Sequence, residues 1–420
     1  MSNEWYKVDN VAKVFLANHS ARNPQTLRVS CTLKEDVDPE VLQEALDTSI
    51  ELFPELAVRI RRGFFWNYIE RTDVRAIVEE ESGRPCPILY GAGFDGFLHF
   101  KVTYYGKRIN VDIFHALADG TGALAFLKIL VLNYLKLKHP DSLQNVSLAS
   151  DSSETERTQN SFEHFYDNSN GAIPKQILNK KKKAYRIQSR LLPYNQLRFI
   201  ELHMEGKEIV AKAKEMHVSV TSYLGALLMF SIREGMPFMM KHKPINVSMP
   251  VNLRNFYPSQ TTRNFFNNVD VSHVFDGSET IESLAAEFDG KLKESLKPES
   301  ITSQMNRYQS MERLFFTRMV PLFIKQPIVK FFAKHEKKTV SCVLSNLGVI
   351  KLPPEMEEYI NEISDFCSTE GFFVTVTSFK NDMVLGISTA NAETGTVRRL
   401  IKHLNETGVN IKAYVSEVVE

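Results

Sequence analysis

The sequence predicts a mixed α/β protein arranged as two lobes. Three observations lead there. The chain has 420 residues, and single hydrophobic cores stop growing at ~250–300. Helix-period and strand-like segments interleave in both halves, without internal repeats or low complexity. From about Pro140 to Ser189 the composition turns polar, with DSLQNVSLASDSSETERTQN and then NKKKKAYR, which reads as a linker or long surface connection. The expected division is an N-terminal lobe over 1–170 and a C-terminal lobe over 171–420.

Each element has its own warrant. In Val37–Leu56, Val41, Leu42, Ala45, Leu46 and Ile50 share one helical face, and Pro39 suits a first turn. FLHFKVTYYGKRINVDIFH predicts a hairpin turned at Tyr105-Gly106-Lys107, with Val102, Ile109, Val111 and Ile113 as strand formers. ALAFLKILVLNYLKLK follows as an apolar helix ending near His139-Pro140. Lys207–Glu234 reads as two helices parted at His217–Val220, the second capped by Thr221 or Ser222. KPINVSMPVNL is a buried strand running into a loop at Arg254. VSCVLSNLGVI is another strand, with SNLG as its closing turn, and FFVTVTSFKNDMVLGIS is a hairpin turned at Lys380–Asp382. The Met and aromatic residues of SVTSYLGALLMFSIREGMPFMMK fall at helical spacing and belong to a core.

Composition excludes several function classes. Lys plus Arg number 51 against 50 for Asp plus Glu, and no basic stripe interleaves with aromatics, so nucleic acid is not an expected partner. Cys31, Cys86, Cys342 and Cys367 are far apart, with no C-x-x-C pair. That pattern predicts neither a disulfide framework nor a zinc site, and it fits a reducing compartment. MSNEWYKVDN lacks the basic and apolar regions of a secretory signal. No apolar run reaches ~18 residues without a charge, so no transmembrane segment is expected. The expectation is a soluble cytoplasmic protein without a metal.

One junction carries chemistry. Asp-Gly occurs at Asp95, Asp119, Asp276 and Asp289, and only Asp119 has a histidine four residues ahead, His115. These residues lie between the second hairpin strand and the apolar helix, where side chains can face a cavity. Gly120 there predicts a positive φ or a close backbone approach. Asp119 is suited to cap the helix or to pair with a cation. His115 alone of the three does proton chemistry near neutral pH. A lone histidine at a strand end is equally a satisfied structural residue, so the later segments decide.

HALADG matches the H-x-x-x-D-G signature and resembles the CoA-dependent acyltransferase superfamily. That superfamily includes chloramphenicol acetyltransferase, alcohol acetyltransferases, plant BAHD acyltransferases and the condensation domains of peptide synthetases. Two later segments are similar in the expected order: PVNLRNFYPSQTTRNFFNNV (Pro250–Val269), an Arg-containing second-lobe loop, and VSCVLSNLGVI (Val340–Ile350), a Ser-Asn segment that crosses toward the active site. In length and style the chain most resembles stand-alone alcohol acetyltransferases. Phe114 stands where peptide-forming domains carry a second histidine, and ISDFCSTEGFF is the nearest stretch to the plant D-F-G-W-G box without matching it.

The resemblance implies two chloramphenicol-acetyltransferase-like lobes, each a mixed sheet with helices, and an active-site tunnel between them. It implies acyl transfer from acyl-CoA, as cosubstrate, to a small alcohol or amine, with no permanently bound cofactor. His115 would be the general base. Asp119 would turn away from the imidazole into a bidentate salt bridge with Arg254. Ser345 and Asn346 are the oxyanion candidates. A carrier-protein-bound donor, or a silent binding member of the fold, are the alternatives. Three further features complete the reading. Lys180–Lys183 form a solvated run or meet CoA phosphates. Met311–Lys338, broken by Pro321 and Pro327 into short helices, packs as core or lid or touches a membrane. Arg263 is a further candidate for an ion pair.

Overall fold

The computed structural model describes residues 5–91, 93–94, 96–148, 153–167, 182–194, 196–313 and 320–416, the backbone alone over 307–313. Two sheets with separate apolar cores organise them. The first has five strands in the order β12 (Ile360–Cys367), β2 (Thr26–Leu33), β7 (Arg108–Phe114), β6 (Phe100–Tyr105), β5 (Val78–Glu80). The second has seven, in the order β10 (Phe266–His273), β9 (Ile245–Asn252), β11 (Cys342–Ile350), β13 (Phe372–Phe379), β14 (Asp382–Thr389), β8 (Arg198–Glu205), β15 (Lys412–Val415). A small third sheet joins β1 (Trp5–Lys7), β4 (Asn67–Arg71) and β3 (Val58–Arg62). Both larger sheets mix parallel and antiparallel pairs.

The β6–β7 hairpin turns where the sequence places it, with Gly106 at φ 52°. β7 is buried on both faces, which its run INVDIF allows because Asp112 is neutralised in place. Arg28 on β2 donates to both Asp112 oxygens, at 2.9 and 2.6 Å. Helix α1 (Asn10–Asn18) is capped by Asp9, and α2 (Pro39–Leu52) by Asp38 with Pro39 in its first turn. Helix α3 (Gly120–Lys138) packs on α2 and begins directly after the His115 loop. By length and composition α3 could span a membrane; half of it is buried in the first-lobe core, and Lys128 interrupts it, as in a core helix of a folded domain.

A cut at residue 170 does not separate the two sheets. β12 leaves the second half of the chain and pairs antiparallel with β2, placing Ile360 and Ile363 in the first core, while Phe162 joins the second. The polar stretch before residue 168 is likewise not a free linker. Ser161 and Ser259 hydroxyls lie 2.7 Å apart, and the Arg157 carbonyl accepts from Thr262 N (3.0 Å) and the Thr261 hydroxyl (2.9 Å). The Arg157 guanidinium donates to Leu52 O on the other lobe, so this segment binds both halves. Ser219, not Thr221 or Ser222, caps the helix Val220–Glu234. Pro321 precedes the helix Leu322–Glu336, and Pro327 is accommodated inside it. Pro327 and Phe323 are both exposed, so the carbonyl that loses its partner has access to water.

Candidate active site

His115 directly follows β7, and its backbone N–H donates to Gln25 O at 2.8 Å. Gln25 is held at φ 57°, a left-handed backbone that a non-glycine residue adopts at a cost. The imidazole is 8% exposed. It stacks on Phe15 of α1, centroids 4.1 Å apart, with Phe266 tilted against it at 5.8 Å. Asn264, in the loop before β10, brackets the residue. Its Nδ2 donates to His115 O (2.8 Å) and its Oδ1 lies 3.1 Å from His115 Nδ1. A carbonyl cannot donate, so the amide nitrogen must face it and the amide oxygen must face the ring. Nδ1 therefore carries the proton, and Nε2 keeps its lone pair. Burial pushes the imidazole below its ordinary pKa, against the opposing pull of Asp119, so the ring is neutral at neutral pH.

Asp119 is fully engaged. Its Oδ1 accepts from Gly122 N at 3.0 Å and caps α3. Its Oδ2 accepts from Phe265 N (3.0 Å) and Arg254 Nη1 (2.8 Å). The pair is made through one oxygen rather than the expected two, because the cap occupies the other. Arg254 uses its remaining donors on Thr261 O, Arg263 O and Asn252 Oδ1, at 2.7–3.1 Å. The side chains are 11% and 7% exposed. This cluster fastens the second-lobe loop to the start of α3.

The glycines act by close approach. Gly120 has no positive φ; a Cβ there would lie 2.9 Å from Leu347 Cδ2. Gly122, which sequence reasoning passed over, is stricter, since a Cβ would fall 2.0 Å from Thr262 O of the other lobe. SNLG is not a closing turn. β11 runs through it to Ile350, with a register shift between Asn346 and Gly348. Asn346 donates to the Thr221 hydroxyl (2.9 Å) and accepts from Gly348 N (2.8 Å), so its amide orders this bulge. The Ser345 hydroxyl makes no hydrogen bond among the described residues, although its backbone belongs to the β11–β13 ladder. Arg263 approaches the Asp9 carboxylate at 3.6 Å and lies over the Tyr6 ring, supporting the cap of α1 and so the placement of Phe15.

A cavity of about 600 Å³ lies between the lobes. His115, Gly120, Ser345, Phe15 and Phe266 line it, as does Asp365 of β12. Asp365 Oδ1 has no hydrogen-bond partner among the described residues, and burial pushes its carboxyl up to about 7. An unfolded carboxyl titrates near ~3.9. Between those values the folded chain keeps a proton that the unfolded chain has lost, so stability falls as pH rises. Asp365→Asn removes this dependence. The stability of the variant relative to wild type should therefore grow by ~2–4 kcal/mol from pH 4 to pH 8. Thermal melts at both pH values check it, and a constant difference would refute it.

A second cavity of about 390 Å³ adjoins the first, with Leu191 bordering both. Arg22, Arg190 and Arg198 line it and no carboxylate does. The Nε atoms of Arg22 and Arg198 are buried without a hydrogen-bond partner among the described residues. These arginines were not singled out from sequence, because residues 22, 190 and 198 meet only in the fold. Of the Lys180–Lys183 run, Lys180 and Lys181 lie outside the described residues, and Lys182 and Lys183 line neither cavity. The one set of metal-type ligand atoms found among the described residues, on His203, Glu362 and Asp382, borders neither cavity. There burial lowers the His203 imidazole, but the Asp382 and Glu201 carboxylates that accept from its ring N–H groups outweigh this and raise it to about 9.

The alcohol acetyltransferase family model matches residues 107–397, well over half of the chain. No curated protein matches significantly. Among solved structures, TRI101 of F. sporotrichioides, complexed with coenzyme A and T-2, superposes with a TM-score of 0.65 at 11% identity, over 97% of this chain and 99% of that one. The first condensation domain of the calcium-dependent antibiotic synthetase gives 0.65 at 13% identity, over 97% of each chain. Polyketide synthase associated protein 5 from Mycobacterium tuberculosis gives 0.64 at 14%, over 95% of this chain and 96% of that one. The fold is thus the two-lobed one shared by CoA-dependent acyltransferases and condensation domains. The chain belongs to the alcohol acetyltransferase family, and with it to the acyltransferases.

Proposed function

We propose that the protein transfers an acyl group from acyl-CoA to a small alcohol or amine, with His115 as general base. The observation that carries this is the neutral imidazole on the cavity wall, its Nδ1 proton tied to Asn264 and its Nε2 lone pair left for a substrate. A thioester is already activated, so no acyl-enzyme is needed. Nε2 takes the acceptor proton as the new C–O or C–N bond forms. The C–S bond then breaks, and the thiolate recovers that proton from Nε2. Ser345 is the donor for the developing oxyanion, directly or through water. Asp119 and Arg254 hold the loop behind the base and touch no reacting atom.

Two features support CoA as the donor. The arginine-lined cavity beside the main one offers cations without competing carboxylates, as the phosphates of CoA require. A solved relative in fold is complexed with coenzyme A. Four buried, unpaired cysteines support a reducing compartment, hence the cytoplasm. The test is thiol release from a panel of acyl-CoAs offered with alcohols and amines. Release that requires an acceptor supports the reading. Inactivity with every CoA donor, and turnover with an acyl carrier protein, would move the donor to the carrier.

A further inference from the structure

The helix Leu322–Glu336 presents the wrong face to solvent for a core or lid element. Leu322 and Ala333 are buried, whereas Phe323, Ile324, Ile328, Phe331 and Phe332 are 59, 44, 50, 69 and 64% exposed. At 3.6 residues per turn these five side chains share the side opposite Leu322 and Ala333. Lys330 and Lys334 are exposed along one border of that face. Over Leu322–Lys338 five lysines stand against one glutamate. The patch continues onto the β3–β4 hairpin. Phe64, 66% exposed, meets Phe323 edge-on at 6.4 Å, and Phe64 O accepts from Leu322 N at 2.7 Å.

We infer that this face seats the protein on an anionic phospholipid surface. The apolar stripe is convex and runs the length of the helix. A protein partner would need a matching trough, whereas acyl chains take up outward-pointing rings at any point along it. Bordering lysines fit anionic headgroups, the arrangement of an interfacial helix lying in the membrane plane. The same helix lends Ala333 and Glu336, and its C-cap Lys337, to the wall of the main cavity. Docking therefore brings that wall against the lipid, where apolar acceptors or long acyl donors concentrate; this last step rests on the acyl-transfer reading.

The test needs no turnover, so its failure is separate from that of the reading above. The full chain is sedimented with vesicles of phosphatidylcholine alone and of phosphatidylcholine with phosphatidylserine. Wild type should bind the anionic vesicles, and added salt should weaken that binding. Phe331→Ser with Phe332→Ser should weaken it about tenfold or more. Lys330→Glu with Lys334→Glu should abolish the preference for phosphatidylserine. These positions are exposed, and unchanged melting midpoints would show the variants folded. Absence of vesicle binding, or unaltered binding by both double variants, overturns the proposal. A wild-type dimer in light scattering that the phenylalanine variant dissolves would overturn it in favour of a second copy of the chain.

Discussion

Replacing His115 by alanine should lower thiol release by about 10²–10⁴-fold, the contribution of a positioned general base. In barrier terms that is ~3–5 kcal/mol. The loss should fall on kcat rather than KM, because the imidazole acts on a proton in flight and the cavity walls remain. His115→Gln is the companion variant: its amide fills similar space against Phe15 but has no basic nitrogen. Both should melt close to wild type, since the backbone bond from His115 N to Gln25 O and the Asn264 bond to His115 O do not involve the ring. Activity retained by either variant would remove His115 as the base, and a collapsed melting midpoint in both would assign it to packing.

Arg254→Leu should destabilise the protein by about 3–5 kcal/mol, the usual consequence of stripping one partner from a buried ion pair. Asp119 is 5% exposed and would be left with only its two backbone donors, Gly122 N and Phe265 N. The carbonyls of Thr261 and Arg263 would lose their partners as well. Soluble yield and melting midpoint should fall together, and turnover with them as the loop carrying Asn264 loosens. Asp119→Asn should be milder, because its one amide oxygen can still accept from Phe265 N–H and Arg254, and the cap to Gly122 N–H is what it gives up. Arg254→Leu melting as wild type would contradict the structural role, and full turnover in either variant would deny that the pair positions the base.

The local part of the site was legible in sequence because its signals are local. His115, Asp119 and Gly120 form a short motif at a strand–helix junction, and Arg254 lies in a segment with its own resemblance. The structure brings these four together. Asn264, Phe15 and Gln25 were not legible. They reach His115 from three unconnected loops or helices, and nothing in NFFNN marks the asparagine that sets a tautomer. Gly122 is required only by Thr262 of the opposite lobe. Strongly periodic elements such as α2, α3 and the two hairpins were readable from spacing. β12 was not, because alternation in INEISDFC says nothing of which sheet receives it. Pro327 misled for a related reason: a proline's effect depends on whether water can reach the orphaned carbonyl.

The most direct measurement of the central claim is the pH dependence of kcat/KM for the acceptor, using a saturating acyl-CoA. A base with a lowered pKa is already deprotonated at neutral pH, so activity should climb on a single limb with its midpoint below the ordinary histidine value of ~6.5 and stay flat above it. A midpoint above that value, or a rate indifferent to pH through the histidine range, would mean that a free, uncharged imidazole is not what accepts the proton.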